Sequence, residues 1–236
     1  MNPEASALPD LTDVRLQLLR PLLSDQVAIA AQDPLGTPPE PFPEETAGLS
    51  QNAVDKRRRE FAAGRAAAHQ AMRALNRTPV PIRIGPKRAP IWPDDLSGTI
   101  THCRSCALAA VARRATHPGI GIDVEEDTPL SRDLWPSIAS RAERDWITAQ
   151  ADPGQAGKLL FSAKEAAYKA QYALSTCYFG FDGLELHFNL AEQSFTARFT
   201  APQPPFRVGD HLQGRFAIGS GVIITAVEIL NNEPCT

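Results

Sequence analysis

Apolar and polar positions alternate with a period of two along Gly119-Ile120-Gly121-Ile122-Asp123-Val124-Glu125-Glu126, which predicts a β-strand with two unlike faces. Ile120, Ile122 and Val124 form an apolar row suited to a core. Gly119, Gly121, Asp123 and Glu125 form the other row, where the glycines would let a bulky ligand come close to the backbone. A helical period governs residues 155–174. There Leu159, Leu160, Ala163, Ala166, Ala167 and Ala170 are apolar and 161–170 holds neither Gly nor Pro, so a largely buried helix is predicted.

The rest of the chain follows the same two periods. Residues 11–23 read as an amphipathic helix, 27–31 as a short strand, and 52–75 as a helix stopped by Asn76. Residues 33–45 hold five prolines and three glutamates, which predicts an extended or poorly ordered loop. Residues 79–93 hold five prolines, which predicts a rigid loop around Lys87 and Arg88. Residues 98–103 and 107–115 alternate as strands. Ser140 and Glu143 form a capping-box pattern for a helix over 140–150. Residues 183–229 predict antiparallel strands. Both parts run from helix into strands, so the fold class is α+β.

Composition changes this picture in two places. At 43% hydrophobic and 22% charged, 236 residues suit one large domain or two small halves. No apolar run reaches membrane-span length, and the first ten residues lack the basic start and apolar stretch of a signal peptide, which predicts a cytoplasmic protein away from membranes. The net charge of −3 hides an asymmetry. Residues 1–50 carry eight acids and two bases, whereas 51–100 carry ten bases and four acids, so the second block implies an anionic partner. Cys103 and Cys106 have the C-x-x-C spacing, but no second pair follows, so reduced thiols rather than a zinc site are expected; Cys177 and Cys235 stand alone.

The candidate chemistry lies on the two central elements. Asp123 and Glu125 on one strand face repel each other unless a cation lies between them, and a hard divalent ion with oxygen ligands fits. Glu165 and Lys169, four apart, share a helix face. Arg57 and Arg65, eight apart, lie on nearly one face of the 52–75 helix. Lys56-Arg57-Arg58-Arg59 has no aromatic interleaving, which speaks against nucleic acid as the partner.

Gly121-Ile-Asp-Val-Glu125 (G-I-D-V-E), followed by Phe161-Ser-Ala-Lys-Glu-Ala-Ala-Tyr-Lys-Ala170, resembles the paired signature of the 4′-phosphopantetheinyl transferases, in the class that serves enterobactin and surfactin synthetases. Phe161 stands where Trp is frequent and Thr101 where Ser is. The resemblance implies two similar α/β halves packed side by side, residues 1–117 and 118–236, with the active site between them. It implies transfer of 4′-phosphopantetheine from coenzyme A to a serine of an acyl or peptidyl carrier protein, with release of 3′,5′-ADP, by a monomer. Asp123, Glu125 and Glu165 would hold Mg²⁺ (or Mn²⁺), and Glu165 would also serve as base. Arg57, Arg65, Lys87 or Arg88, Thr101 and His102 would meet the coenzyme phosphates. Lys169 would lie over the pyrophosphate with Lys164 beside it, and Tyr178 would lie close to the coenzyme. A magnesium-dependent phosphohydrolase acting on coenzyme A or a nucleotide is the alternative enzyme class.

Overall fold

The computed structural model describes residues 10–50 and 52–231; the first nine residues and Cys235, on which the leader and fourth-cysteine readings fell, lie outside them. Helix α1 (Leu11–Leu19) leads into strand β1 (Ala28–Gln32). After the short α2 (Pro43–Thr46) comes the long α3 (Asp55–Ala74), ended by Leu75 and by Asn76 at φ 56°. A small hairpin, β2 (Arg83–Ile84) and β3 (Pro90–Ile91), precedes β4 (Leu96–His102) and β5 (Ala107–Arg113). The second half holds β6 (Gly119–Glu126), α4 (Trp135–Ile138), α5 (Arg141–Thr148), α6 (Pro153–Ser175) and strands β7 (Leu184–Asn189), β8 (Ser194–Phe199), β9 (His211–Gly219) and β10 (Val222–Ile229). Both long helices and the C-terminal strands match the predicted periods, and the fold is α+β.

A repeat that the residues conceal is visible in the topology. The first sheet has the order β1-β5-β4 and the second β6-β10-β9-β8-β7. In each, the first strand pairs antiparallel with the last, and a long helix follows the first strand in the chain. Between the sheets, β4 and β6 run side by side in the same direction without a main-chain ladder. Instead, the Ile122 amide donates to Thr99 Oγ1 (3.4 Å) and the Val124 amide to Thr101 Oγ1 (3.3 Å). The edge of β6 is thereby satisfied by threonine hydroxyls.

Three sequence expectations change. The glycine positions of β6 admit no ligand, because α6 occupies them: a Cβ on Gly121 would stand 1.8 Å from the Ala166 carbonyl oxygen. The apolar face packs Ile120, Ile122 and Val124 against Leu19 and Leu108, so β6 is covered on both sides. Residues 33–45 end in a well-anchored turn rather than a poorly ordered one. Glu45 is fully buried and accepts from the Phe42 and Ile82 amides (2.8 and 2.9 Å) and faces His69 Nε2 at 2.9 Å. Finally, the rigid loop at 79–93 is the β2–β3 hairpin, whose tip places Lys87 and Arg88 at φ 52° and 65°. The left-handed backbone is unfavourable for such side chains and is held by the flanking pairing.

Candidate active site

Helix α6 is the element that assembles the acids and bases. Asp152 caps its first turn by accepting from the Gln155 amide (3.0 Å), and Pro153 follows at a position where the missing N–H is no loss. Ser162, inside the signature, ties the helix to β10: its carbonyl accepts from Thr225 Oγ1 at 2.9 Å. Residues 158, 165 and 169 fall within about 40° of one another around the helix, toward β6. Lys169 Nζ donates to Asp123 Oδ1 (2.7 Å) and to the Ile122 carbonyl (3.2 Å), and Thr101 Oγ1 donates to the same Oδ1 (3.0 Å). Lys158, which sequence reasoning passed over, donates to Glu125 Oε2 at 3.1 Å. The two strand acids therefore each face their own lysine.

Asp123 is 4% exposed, and its Oδ2 is buried without a hydrogen-bond partner among the described residues. A bare carboxylate oxygen in the interior is destabilising unless something positive meets it. Burial pushes the Glu165 carboxyl up, with Lys169 opposing and Asp123 adding. Burial also pushes Glu125 up, with Asp123 adding and Lys158 opposing. Among the described residues, no three acidic, imidazole or thiol groups already stand together at ligating distance. The donor set nevertheless fits a hard cation: it is all oxygen, and one of its oxygens is buried with no hydrogen-bond partner among the described residues.

Beside these acids lies a cleft of about 470 Å³, lined by Lys87, Trp92, Thr99, Glu165, Tyr168 and Lys169 among others. It runs between the β2–β3 hairpin and β4 on one side and α6 on the other. A smaller pocket of about 150 Å³ adjoins it, sharing Glu165 and Tyr168 and adding Tyr178 and Phe181. Lys87 Nζ sits 4.8 Å from the centre of the exposed Tyr178 ring, so the hairpin tip reaches across to the segment after α6. Sequence reasoning missed Trp92 as a wall, although the Trp92-Pro93 pair was its signal, and it missed Tyr168, one residue short of Lys169.

The bases divide into two groups. Arg57 Nη1 stands 2.5 Å from His102 Nε2. Burial lowers the His102 imidazole, helped by Arg57 and Lys169 and opposed by Glu60 and Asp123. Burial likewise lowers Arg57, with Arg88 adding. Arg57, Arg88, Lys87 and Lys169 thus form one positively charged neighbourhood around His102. Arg65 is set apart: it is 6% exposed, its Nε lies 3.7 Å from Glu45 Oε1, and burial pulls its guanidinium down to about 10. Although burial works against it, hydrogen bonds from His69, Ile82 and Phe42 hold the Glu45 carboxyl below its ordinary value.

Lys164 corrects an expectation. Its ammonium is buried and donates to Glu143 Oε2 and to the Phe181 carbonyl, both at 2.8 Å, so it is committed to the core of the second half rather than to the coenzyme. Glu143 also closes the α5 capping box and accepts from the Leu186 amide at 2.9 Å. Cys103 and Cys106 flank the turn between β4 and β5, and burial pushes their thiols up to about 12 and 11. Among the described residues, no helix is long and apolar enough to cross a membrane.

Comparison with known proteins matches the sequence of this chain to a family. Residues 43–112 match the profile of the 4′-phosphopantetheinyl transferase N-terminal domain, and residues 119–223 that of the 4′-phosphopantetheinyl transferase superfamily. The 4′-phosphopantetheinyl transferase Svp of Streptomyces mobaraensis is 38% identical over 193 residues, covering 80% of this chain and 78% of that protein. The 4′-phosphopantetheinyl transferase PptT of Mycobacterium tuberculosis is 34% identical over 79% of this chain and 85% of its own. Enterobactin synthase component D of Escherichia coli is 42% identical over 126 residues, 51% of this chain and 57% of its own. With this coverage and identity, the chain belongs to the 4′-phosphopantetheinyl transferase family.

Proposed function

We propose that the protein moves 4′-phosphopantetheine from coenzyme A to a serine hydroxyl of an acyl or peptidyl carrier protein, with Mg²⁺ or Mn²⁺, leaving 3′,5′-ADP. The observation that carries this reading is the junction of β6 with α6. There an orphaned, buried carboxylate oxygen of Asp123 lies behind Lys169, which together with Glu165 lines a base-lined cleft. Asp123, Glu125 and Glu165 would hold the cation, which when bound supplies positive charge to the pyrophosphate oxygens. Arg57, Lys87 and Arg88 would clamp the phosphates, with His102 holding Arg57 among them, Thr101 holding Asp123 in place and Arg65 bracing the clamp from the interior. Lys169 would lie over the pyrophosphate, and Glu165 would accept the serine proton. Tyr178 would cover the coenzyme at the mouth of the smaller pocket.

We take a monomer as the working unit, acting in the cytoplasm. We place the boundary between the halves at 117/118, where the chain leaves β5 and enters β6. The test is to incubate the protein with coenzyme A, Mg²⁺ and a carrier protein lacking its prosthetic arm, and to weigh the carrier. A carrier heavier by one phosphopantetheine is expected, lost on chelation and restored by Mg²⁺ or Mn²⁺. Cleavage of coenzyme A with the carrier unchanged would instead make the protein a phosphohydrolase.

A further inference from the structure

Glu60 on α3 is a buried acid that the reading above leaves without a task. It is 9% exposed, and its Oε2 stands 3.7 Å from His102 Nδ1 and 3.8 Å from Arg57 Nη1. Its other oxygen faces the exposed Lys56 at 3.7 Å. His102 ends β4, so its ring is caught between two side chains of one helix: Arg57 at Nε2 and, three residues on, Glu60 at Nδ1.

This arrangement settles where the imidazole proton lies. A guanidinium has donors and no acceptor, and it stays charged in proteins. At 2.5 Å from Arg57 Nη1, His102 Nε2 must therefore offer its lone pair. The single proton of a neutral ring then sits on Nδ1, the nitrogen that faces Glu60. The 3.7 Å separation is too long for a finished hydrogen bond, but it lies within range of a carboxylate's attraction for that N–H.

We propose that Glu60 is a positioning residue for coenzyme binding, holding the His102 proton on Nδ1 so that Nε2 accepts from Arg57 and fixes the guanidinium, whose remaining N–H donors meet an incoming phosphate in one arrangement. The identity of the ligand rests on the transferase reading; the ring geometry does not. One carboxylate oxygen reaches both the ring and the guanidinium, so Glu60 also keeps the Arg57 side chain beside His102 when the phosphate is absent. The other charged groups around the ring, Lys169 and Asp123, come from α6 and β6 and are paired with each other at 2.7 Å.

The test has a spectroscopic and a kinetic arm. In ¹⁵N-labelled protein without ligand, two-bond proton–nitrogen correlation of the histidine rings, with His102 assigned by His102→Gln, should show Nδ1 protonated and Nε2 bare. Glu60→Leu should populate the Nε2–H form, whereas Glu60→Gln, whose side-chain oxygen still accepts, should keep Nδ1–H. KM for coenzyme A should rise about three- to tenfold in Glu60→Leu, the worth of one ordinary hydrogen bond, with kcat within about twofold. Lys56→Ala should match the wild type. An Nε2–H ring in the wild type, or a ring unchanged in Glu60→Leu, would overturn the proposal. So would a folded Glu60→Gln as impaired as Glu60→Leu. If Glu60→Leu does not fold, the wild-type ring and Glu60→Gln still decide. A wild type that shows the expected ring yet modifies no carrier removes the transferase reading and leaves the assignment of Glu60 standing.

Discussion

Replacing Gly121 by alanine tests whether the packing of α6 on β6 sets the chemistry. The added Cβ would lie 1.8 Å from the Ala166 carbonyl oxygen and 2.7 Å from the Ala170 nitrogen, against a floor of 3.0 Å for real Cβ contacts, a shortfall of 1.2 Å to backbone that cannot rotate away. The helix must therefore move outward by about an ångström or the strand must bend. Overpacking of this kind costs about 1–3 kcal/mol, and a clash with main chain belongs at the top of that range. At roughly 2–4 °C per kcal/mol for a domain of this size, Tm should fall by about 6–12 °C. The shift also carries Glu165 and Lys169 away from Asp123, and a misplacement of about 1 Å is worth roughly a hundredfold in rate. Gly119→Ala supplies the internal scale, because its Cβ would stand 2.5 Å from the Ala170 carbonyl oxygen, a milder conflict. Thermal melts and carrier modification measured on both variants should rank Gly121→Ala well below Gly119→Ala in both respects. Equal effects, or an unchanged Tm for Gly121→Ala, would refute the claim that the glycines exist to seat the helix.

Three further outcomes follow from the site. Glu165→Gln should bind coenzyme A with Mg²⁺ while transferring about 10²–10⁴ times more slowly, the usual worth of a general base; a rate restored by excess Mg²⁺ would reduce Glu165 to a ligand. Lys164→Met should destabilise the fold by about 3–5 kcal/mol by leaving Glu143 buried and unpaired, while the folded fraction keeps its coenzyme affinity by calorimetry; a large loss of affinity would return Lys164 to the coenzyme site. Burial raises Glu125 and Glu165, so the folded chain binds their protons more tightly than the unfolded chain does. Stability without metal should then fall as pH rises from their ordinary values to the raised ones, and Mg²⁺ should offset that loss by favouring the ionised forms. The acid limb of kcat/KM should accordingly move to lower pH as Mg²⁺ is added, and a limb indifferent to Mg²⁺ would argue against these acids as its ligands.

Much of this was legible because period and side-chain type agree. Alternation made 119–126 a strand, and alanine-rich helical spacing made 155–174 a helix. The failures have physical causes. Periodicity gives faces but not what covers them, so the glycines of β6 could be read as room for a ligand when they make room for α6. Lys164 and Lys169 differ by about 140° around the helix and cannot share a face. Adjacency to Glu165 suggested a common site, while the helical geometry sends Lys164 inward. Lys158 was overlooked because the signature begins after it, although it lies within about 20° of Lys169. Glu45 was read with the prolines around it as part of a loose loop. A carboxylate that finds two amides and an imidazole folds such a segment down, and no local pattern announces those partners.

The threonine seam between β4 and β6 has a consequence for how the two halves exist at all. A strand edge with free amides is a template on which foreign strands add, and proteins guard such edges with charges, bulges or cover. Here each half guards the other: Thr99 and Thr101 reach the β6 amides through side-chain hydroxyls, which cannot propagate a ladder. Cut at the junction, the second half would present β6 as an unguarded, apolar edge, prone to stacking on its own copies. Co-expression of residues 1–117 with 118–236 should therefore give soluble material where 118–236 alone aggregates, and Thr99→Val with Thr101→Val should bring part of that aggregation into the intact chain.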